Sequence, residues 1–120
     1  MDHVIVGIAA VFFAGMGLYG LAAPQALVAP FRIELAAGAA RTEVRAVYGG
    51  FGIGIAALLG IAMVDPAAHG GVLLAVAVAL YGMAGGRLVG RVFDRPDAFY
   101  PVWFYFWVEV VAATALLIAR

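Results

Sequence analysis

One carboxylate stands alone inside a long apolar stretch near the end of the chain. Glu109 is the one charged residue between Ala98 and Ala119. A charge at the centre of a membrane helix costs roughly 2.5–3.5 kcal/mol on insertion scales, so such a residue usually faces the bundle interior and has a partner. Tyr105 lies one helical turn away on the same face. Glu109 is therefore the first candidate for a buried functional group.

Residues that could meet Glu109 occur in the two preceding apolar stretches. Arg45 and Tyr48 share one helical face, and Arg87 follows a glycine pair in the next stretch. We expect Arg45, Tyr48, Arg87 and Glu109, with Tyr105 beside them, to form a buried polar cluster. Two interpretations stay open: a site for a ligand or a proton, and a buried ion pair that fixes helix register.

An aromatic cluster precedes Glu109. Trp103, Phe106 and Trp107 belong to it, and the last two lie too deep for an interfacial belt to explain them fully. We expect these three side chains to line the wall of an internal pocket. The alternative is an apolar surface that faces lipid.

Missing residue types exclude several kinds of chemistry. The chain has no Cys, Ser, Asn or Lys, so disulfides, thiolate metal sites, serine triads and Schiff bases are excluded. A net charge of zero gives no reason to expect nucleic-acid binding. His3, Asp65 and His69 lack zinc-site spacing and are interpreted as surface residues. We expect no metal and no cofactor, and no motif identifies a catalytic residue.

The surrounding sequence is that of a membrane protein. Hydrophobic residues make up 67% of the 120 residues and charged residues 12%, far from the usual soluble composition. About 20 apolar residues are needed to cross a bilayer, and runs of that length cover 4–23, 46–64, 70–92 and 98–119. Short connections make neighbouring helices antiparallel. The prediction is an all-α, integral membrane four-helix antiparallel bundle that forms a single domain over 1–120.

The arginines are distributed unevenly between the two predicted membrane faces. One face carries only Arg120, and the other carries six: Arg32, Arg41, Arg45, Arg87, Arg91 and Arg95. The positive-inside rule makes the second face cytoplasmic, with both termini outside. We expect a multi-pass protein of the cytoplasmic membrane whose arginine-rich face contacts anionic lipid headgroups.

Glycines recur at helical spacing in the second and third stretches. Gly50 and Gly54 are one turn apart, as are Gly82, Gly86 and Gly90. Small residues on one stripe let membrane helices approach closely, so these five are predicted helix-packing positions. Alternatively, bare backbone lets a ligand approach. The same glycine stripes are also compatible with contacts between copies of the chain, so a homo-oligomer is a further possibility.

Several strings together resemble a known family. They are Arg45-Ala46-Val47-Tyr48-Gly49-Gly50, Gly86-Arg87, Asp94-Arg95-Pro96 and Glu109. The chain from about residue 20 to 120 resembles small four-span bacterial membrane proteins known only as a domain of unknown function. The resemblance implies a four-helix membrane fold and supplies no substrate or catalytic residue. The chain is also distantly similar to DoxX-type four-helix membrane proteins, some of which are linked to redox complexes.

Three functions are compatible with these features. The first is binding or transport of a small lipophilic ligand at the Glu/Arg/Tyr site. The second is a structural or accessory subunit of a membrane complex. The third is an acid–base enzyme that acts on a lipophilic substrate, with Glu109 as acid or base and Tyr48 or Arg87 stabilising developing charge.

Overall fold

The computed structural model describes residues 2–120, and within this range it contains helices and no strand. Four helices are long and a fifth is short. In chain order they are α1 (Asp2–Ala22), α2 (Pro24–Val28), α3 (Gly38–Val64), α4 (Pro66–Phe93) and α5 (Phe99–Ala119). A 3₁₀ turn, Ala29–Phe31, follows α2.

Each long helix is long and apolar enough to cross a membrane. At 1.5 Å per residue, 21 to 28 residues span about 31–42 Å, against about 30 Å of hydrocarbon. Helices that are consecutive among these four pack together, and α1 also contacts α5. The predicted all-α four-helix bundle is therefore confirmed. Helix α3 begins at Gly38, well before the expected residue 46, because it continues back into the connection from α1.

The two ends of the bundle differ. The turn end contains the Asp65–Pro66 junction between α3 and α4, where the Asp65 carboxylate accepts the Ala67 N–H at 3.0 Å and caps α4. The ring nitrogens of His69 each lie 3.0 Å from a backbone carbonyl oxygen, one of Ala62 and one of Ala119. This imidazole thus links the last turns of α3 and α5 to the first turn of α4.

The main core lies toward the turn end, where all four long helices converge. Val6, Leu59, Leu73 and Leu116, one from each helix, are fully buried, and small residues such as Ala113 fill the space between them. This packing fixes the relative height of α4 and α5. That height determines which side chains can meet farther along the two helices.

Helices α1 and α3 cross with their backbones in contact. A Cβ atom built on Gly17 would lie 2.8 Å from the Gly49 carbonyl oxygen, and one on Gly52 would lie 2.9 Å from the Gly17 Cα. Gly20 meets Gly49 in the same way. Four glycines, spaced by three on each helix, therefore permit the crossing.

The predicted packing glycines are not the ones at this crossing. Gly54, Gly82, Gly86 and Gly90 have nothing within 4 Å of a built Cβ, and Gly50 meets only the Arg45 carbonyl oxygen of its own helix. That prediction was wrong for packing within this chain. A stripe at spacing four exists in the sequence, but the core side chains turn it toward the surface of the bundle.

The connection from α1 to α3 is a folded segment held by hydrogen bonds of Gln25 and of Arg41, whose Nη1 donates to the Leu35 carbonyl oxygen at 3.1 Å. The Gln25 amide donates to the Ile33 carbonyl at 2.9 Å and accepts from the Leu35 N–H at 2.7 Å. A small separate core lies beneath it, made by Leu27, Val28, Leu35 and Val44. The segment covers the arginine-rich end and places Phe31 near the first turn of α5.

Candidate functional site

Arg87 and Glu109 form a two-point ion pair between α4 and α5. The Arg87 Nε donates to Glu109 Oε1 and its Nη2 donates to Oε2, each at 2.9 Å. The Glu109 side chain is 5% exposed and that of Arg87 is 20% exposed. Paired N–H···O contacts in this planar arrangement are the strongest form of arginine–carboxylate interaction. The acid predicted to face inward therefore does so, with Arg87 as its partner.

Helix direction explains how two distant backbone positions meet. Side chains lean toward the N-terminus of their own helix. Helix α4 begins at the turn end, so Arg87 leans toward that end, whereas α5 runs the opposite way and Glu109 leans toward the arginine-rich end. Glu109 lies ten residues, about 15 Å, before the end of α5. The pair consequently sits well inside the apolar layer.

Two aromatic rings cover one side of the guanidinium. The Arg87 Cζ lies 5.8 Å from the ring centre of Phe31 and 5.8 Å from that of Tyr105, and the two ring centres are 5.7 Å apart. Three nearly equal distances form an almost equilateral triangle. The guanidinium therefore rests over the seam between the rings, and no other ring within residues 2–120 contacts it. Such cation–π contacts stabilise the guanidinium at this position.

Arg87 keeps unused donors. A guanidinium has five N–H groups, and Glu109 accepts two of them. The other three, two on Nη1 and one on Nη2, have no acceptor among residues 2–120. Nη1, which has no partner, lies on the part of the side chain that is still exposed. Unsatisfied donors are costly in a medium without water, so this edge of Arg87 is suited to an incoming acceptor atom.

Arg45 and Tyr48 do not join the pair. The Arg45 Nε donates to the Leu21 carbonyl oxygen at 3.0 Å, near the end of α1. Tyr48 is 46% exposed. The prediction of a four-residue cluster was therefore wrong for Arg45 and Tyr48. Residues 45–50 form a π-helical turn, which changes the angular position of each side chain from that of a regular α-helix.

The predicted pocket wall is also different. The Trp103 indole N–H donates to the Pro96 carbonyl oxygen at 3.0 Å. This bond connects the loop between α4 and α5 to the first turn of α5. Phe106 packs edge-on against both Trp103 and Trp107, and Trp107 is half-exposed. These three rings form an aromatic surface at the beginning of α5. The aromatic residues that touch Arg87 are Tyr105, which was predicted, and Phe31, which was not.

Two clefts occur elsewhere in the described residues. An apolar groove of about 230 Å³ runs between α3 and α4, with Phe51, Leu58 and Met83 among its walls. A second cleft, of about 520 Å³, opens at the turn end beside Asp2, His3 and His69. Neither is lined by Glu109 or by the three predicted wall residues. Within residues 2–120, no group of three His, Asp or Glu side chains could hold a metal ion.

Helix lengths, apolar surfaces and the buried ion pair define a four-helix, multi-pass membrane protein. The chain belongs to the family described as "Domain of unknown function (DUF4345)", whose model matches residues 1–120. The resemblance predicted from about residue 20 onward is thus confirmed over the whole chain. No curated protein and no solved structure matches the chain.

Proposed function

We propose that this membrane protein binds a small lipophilic ligand at the Arg87–Glu109 pair and holds it there or passes it across the bilayer. The observation that carries the proposal is the set of three Arg87 N–H groups without an acceptor among residues 2–120. An arginine that served only to neutralise Glu109 would gain nothing from keeping these donors exposed inside an apolar layer. A ligand oxygen would accept from the Nη1 and Nη2 N–H groups that point to the same side, which satisfies two of the three.

The pair is well prepared for this role. Glu109 fixes the guanidinium plane through two bonds, and the Phe31–Tyr105 seam fixes its position from one side. The donors therefore point in set directions before the ligand arrives, and little side-chain freedom is lost on binding. A transport step coupled to a proton would require the pair to loosen, because the Glu109 oxygen that takes the proton gives up its bond from Arg87.

The orientation is part of the proposal. The arginine-rich end faces the cytoplasm by the positive-inside rule, in the cytoplasmic membrane, and both chain ends face out. Arg32, Arg91 and Arg95 are exposed at that end. Anionic lipid headgroups are their expected neighbours. A reporter fused to either end, or labelling of single cysteines introduced in the loops, tests this topology.

The experiment for the site is a screen of lipophilic compounds by thermal shift on the purified protein in detergent. Compounds that raise the melting temperature of wild type should lose their effect in Arg87→Gln, while Trp107→Phe, on the half-exposed aromatic surface, should retain it. A screen without any stabilising compound, or equal shifts in Arg87→Gln and wild type, would count against the proposal.

One observation favours the accessory-subunit alternative. Gly82, Gly86 and Gly90 form a bare stripe on α4 that no part of residues 2–120 covers. Close approach of a second helix, from another copy or from another membrane protein, would use such a stripe. Gly86→Leu should then leave the isolated chain folded while it abolishes co-purification with a partner or self-association. Unchanged association in this variant would remove the alternative.

A further inference from the structure

The unused edge of Arg87 sets the chemistry of what can bind there. Arginine offers only donors, so the group facing Nη1 must be an acceptor. Glu109 does not require a donor from the ligand, because each of its oxygens already accepts an N–H from Arg87. A ligand group that only donates, such as an ammonium, would face the guanidinium with like charge.

The charge of the site discriminates among acceptors. Arg87 and Glu109 together are neutral, and the 5% exposure of Glu109 leaves little room for solvent to screen an added charge. A carboxylate or phosphate placed at Nη1 would leave a net charge of −1 in the apolar layer. An uncharged oxygen, as in a ketone, ester or amide, would satisfy the same N–H groups without that cost.

Anions have a better place on the same molecule. Arg32, Arg91 and Arg95 are exposed at the arginine-rich end and take part in no ion pair within residues 2–120. An anionic headgroup bound there keeps part of its hydration and meets positive charge that no acid neutralises at contact distance. Anionic oxygens are therefore favoured at the exposed arginines, and uncharged oxygens are favoured deeper in the bundle, at the Arg87–Glu109 pair.

The remaining surroundings favour an apolar body. Phe31 and Tyr105 close one side of the guanidinium, and Tyr100 lies against Tyr105 with ring centres 6.2 Å apart. No acidic side chain other than Glu109 contacts Arg87 in the described residues. A ligand with one acceptor and a hydrocarbon body therefore matches what the site exposes.

We propose that the ligand is an uncharged lipophile whose carbonyl oxygen accepts from the Nη1 edge of Arg87. This inference rests on the proposed ligand-binding function and specifies its ligand class. Fatty acids and phosphate-bearing lipids are bound at the exposed arginines instead. The Arg87–Glu109 pair therefore acts as a charge filter as well as a donor.

Three probes of equal length test the ligand class: hexadecan-2-one, hexadecane and hexadecanoate. Each is added at the same mole fraction to the protein in nanodiscs of uncharged lipid, and binding is followed by melting temperature and by native mass spectrometry. In wild type the ketone should bind about tenfold or more tightly than hexadecane, as expected for a bond to a charged donor. Hexadecanoate should bind more weakly to Arg91→Gln than to wild type, because one of the three exposed arginines is removed, and ketone binding should be unchanged.

Glu109→Gln provides a charge-switch test. The variant keeps the side-chain shape and an acceptor for Arg87 but gives the site a net charge of +1. Hexadecanoate should then bind about tenfold or more tightly than it does to wild type, because its charge now compensates Arg87. An Arg87 that no ligand can reach would produce no such reversal of preference.

The outcomes separate the two proposals. If hexadecanoate binds wild type through Arg87 and the ketone does not, the neutral-ligand inference is wrong and the ligand-binding function stands. If none of the three probes binds, the neutral-ligand inference is wrong, and the thermal-shift screen of lipophilic compounds decides the ligand-binding function. Should Glu109→Gln fail to fold, the wild-type series with Arg91→Gln still decides, because it requires no change at the pair.

Discussion

The crossing of α1 and α3 makes a sharp prediction about Gly17. A Cβ at this position would lie 2.8 Å from the Gly49 carbonyl oxygen and 2.8 Å from the Ile53 amide nitrogen. Both are backbone atoms, so no side chain can turn away to make room. At Gly82, by contrast, a built Cβ meets nothing within 4 Å. Gly17→Ala and Gly82→Ala therefore make the same chemical change at a closed and an open position.

The magnitude follows from these distances. Relieving a 2.8 Å contact to an ordinary separation of about 3.5 Å requires the two helices to move apart by roughly 0.7 Å. Overpacking of this kind typically costs about 1–3 kcal/mol. The gain in helix propensity, up to about 1 kcal/mol, is common to both variants and cancels from their difference. Gly17→Ala should therefore be less stable than Gly82→Ala by about 1–3 kcal/mol.

The assay is reversible unfolding in mixed micelles, with the denaturing detergent titrated and helix content followed by circular dichroism. Both variants should be measured as monomers, so that a contact between copies at the α4 stripe does not contribute to the difference in stability. Equal stability of the two variants, or a Gly82→Ala variant that is the less stable one, would refute the crossing as described.

Two further perturbations test other parts of the fold. Only the protonated imidazole of His69 has N–H groups for both carbonyls that it bridges, so wild type should lose stability as the pH rises through the range in which histidine deprotonates. His69→Gln should lose most of this dependence in pH-resolved melting curves, and an unaltered dependence would contradict the bridge. Gln25→Ala removes two of the three side-chain hydrogen bonds that hold the connecting segment, so trypsin should cleave after Arg32 several-fold faster. Cleavage after Arg91, outside the segment, is the control, and an unchanged rate at Arg32 would show that Gln25 does not hold it.

Much of the architecture could be predicted from the sequence because a membrane imposes few solutions. Apolar runs of about 20 residues must become helices, and short loops must make them antiparallel. The inward position of Glu109 followed from the cost of a charge in lipid, and Arg87 was among its predicted partners. These predictions depend on solvent and chain length rather than on detailed packing.

The details that failed depend on helix rotation. The π-helical turn over 45–50 shifts Arg45 and Tyr48 away from the face that regular spacing assigns to them. The glycine stripe of α4 has the right spacing for packing, but rotation of that helix is set by core side chains such as Leu73. Spacing gives the residues on one face. It does not give the direction that the face takes in the bundle.

Phe31 could not be assigned to the site because its position depends on a loop. The segment after α1 is held near Arg87 by side-chain hydrogen bonds, two of which Gln25 makes with residues eight and ten positions away. A polar glutamine between two prolines in an otherwise apolar connection was the available signal. Tyr105, which lies on a regular helix with Glu109, was found from spacing alone.

The most direct test of the central claim is the nitrogen-15 NMR spectrum of the arginine side chains in nanodiscs, with the Arg87 signals assigned by their absence in Arg87→Lys. The claim is that Glu109 holds one edge of Arg87 while the other edge receives a ligand. Hexadecan-2-one should shift the Nη1 signal and leave the Nε signal, which reports the bond to Glu109, in place. An Nη1 signal unaffected by the ketone, or an Nε signal that shows no bond to Glu109 in the protein alone, would contradict it.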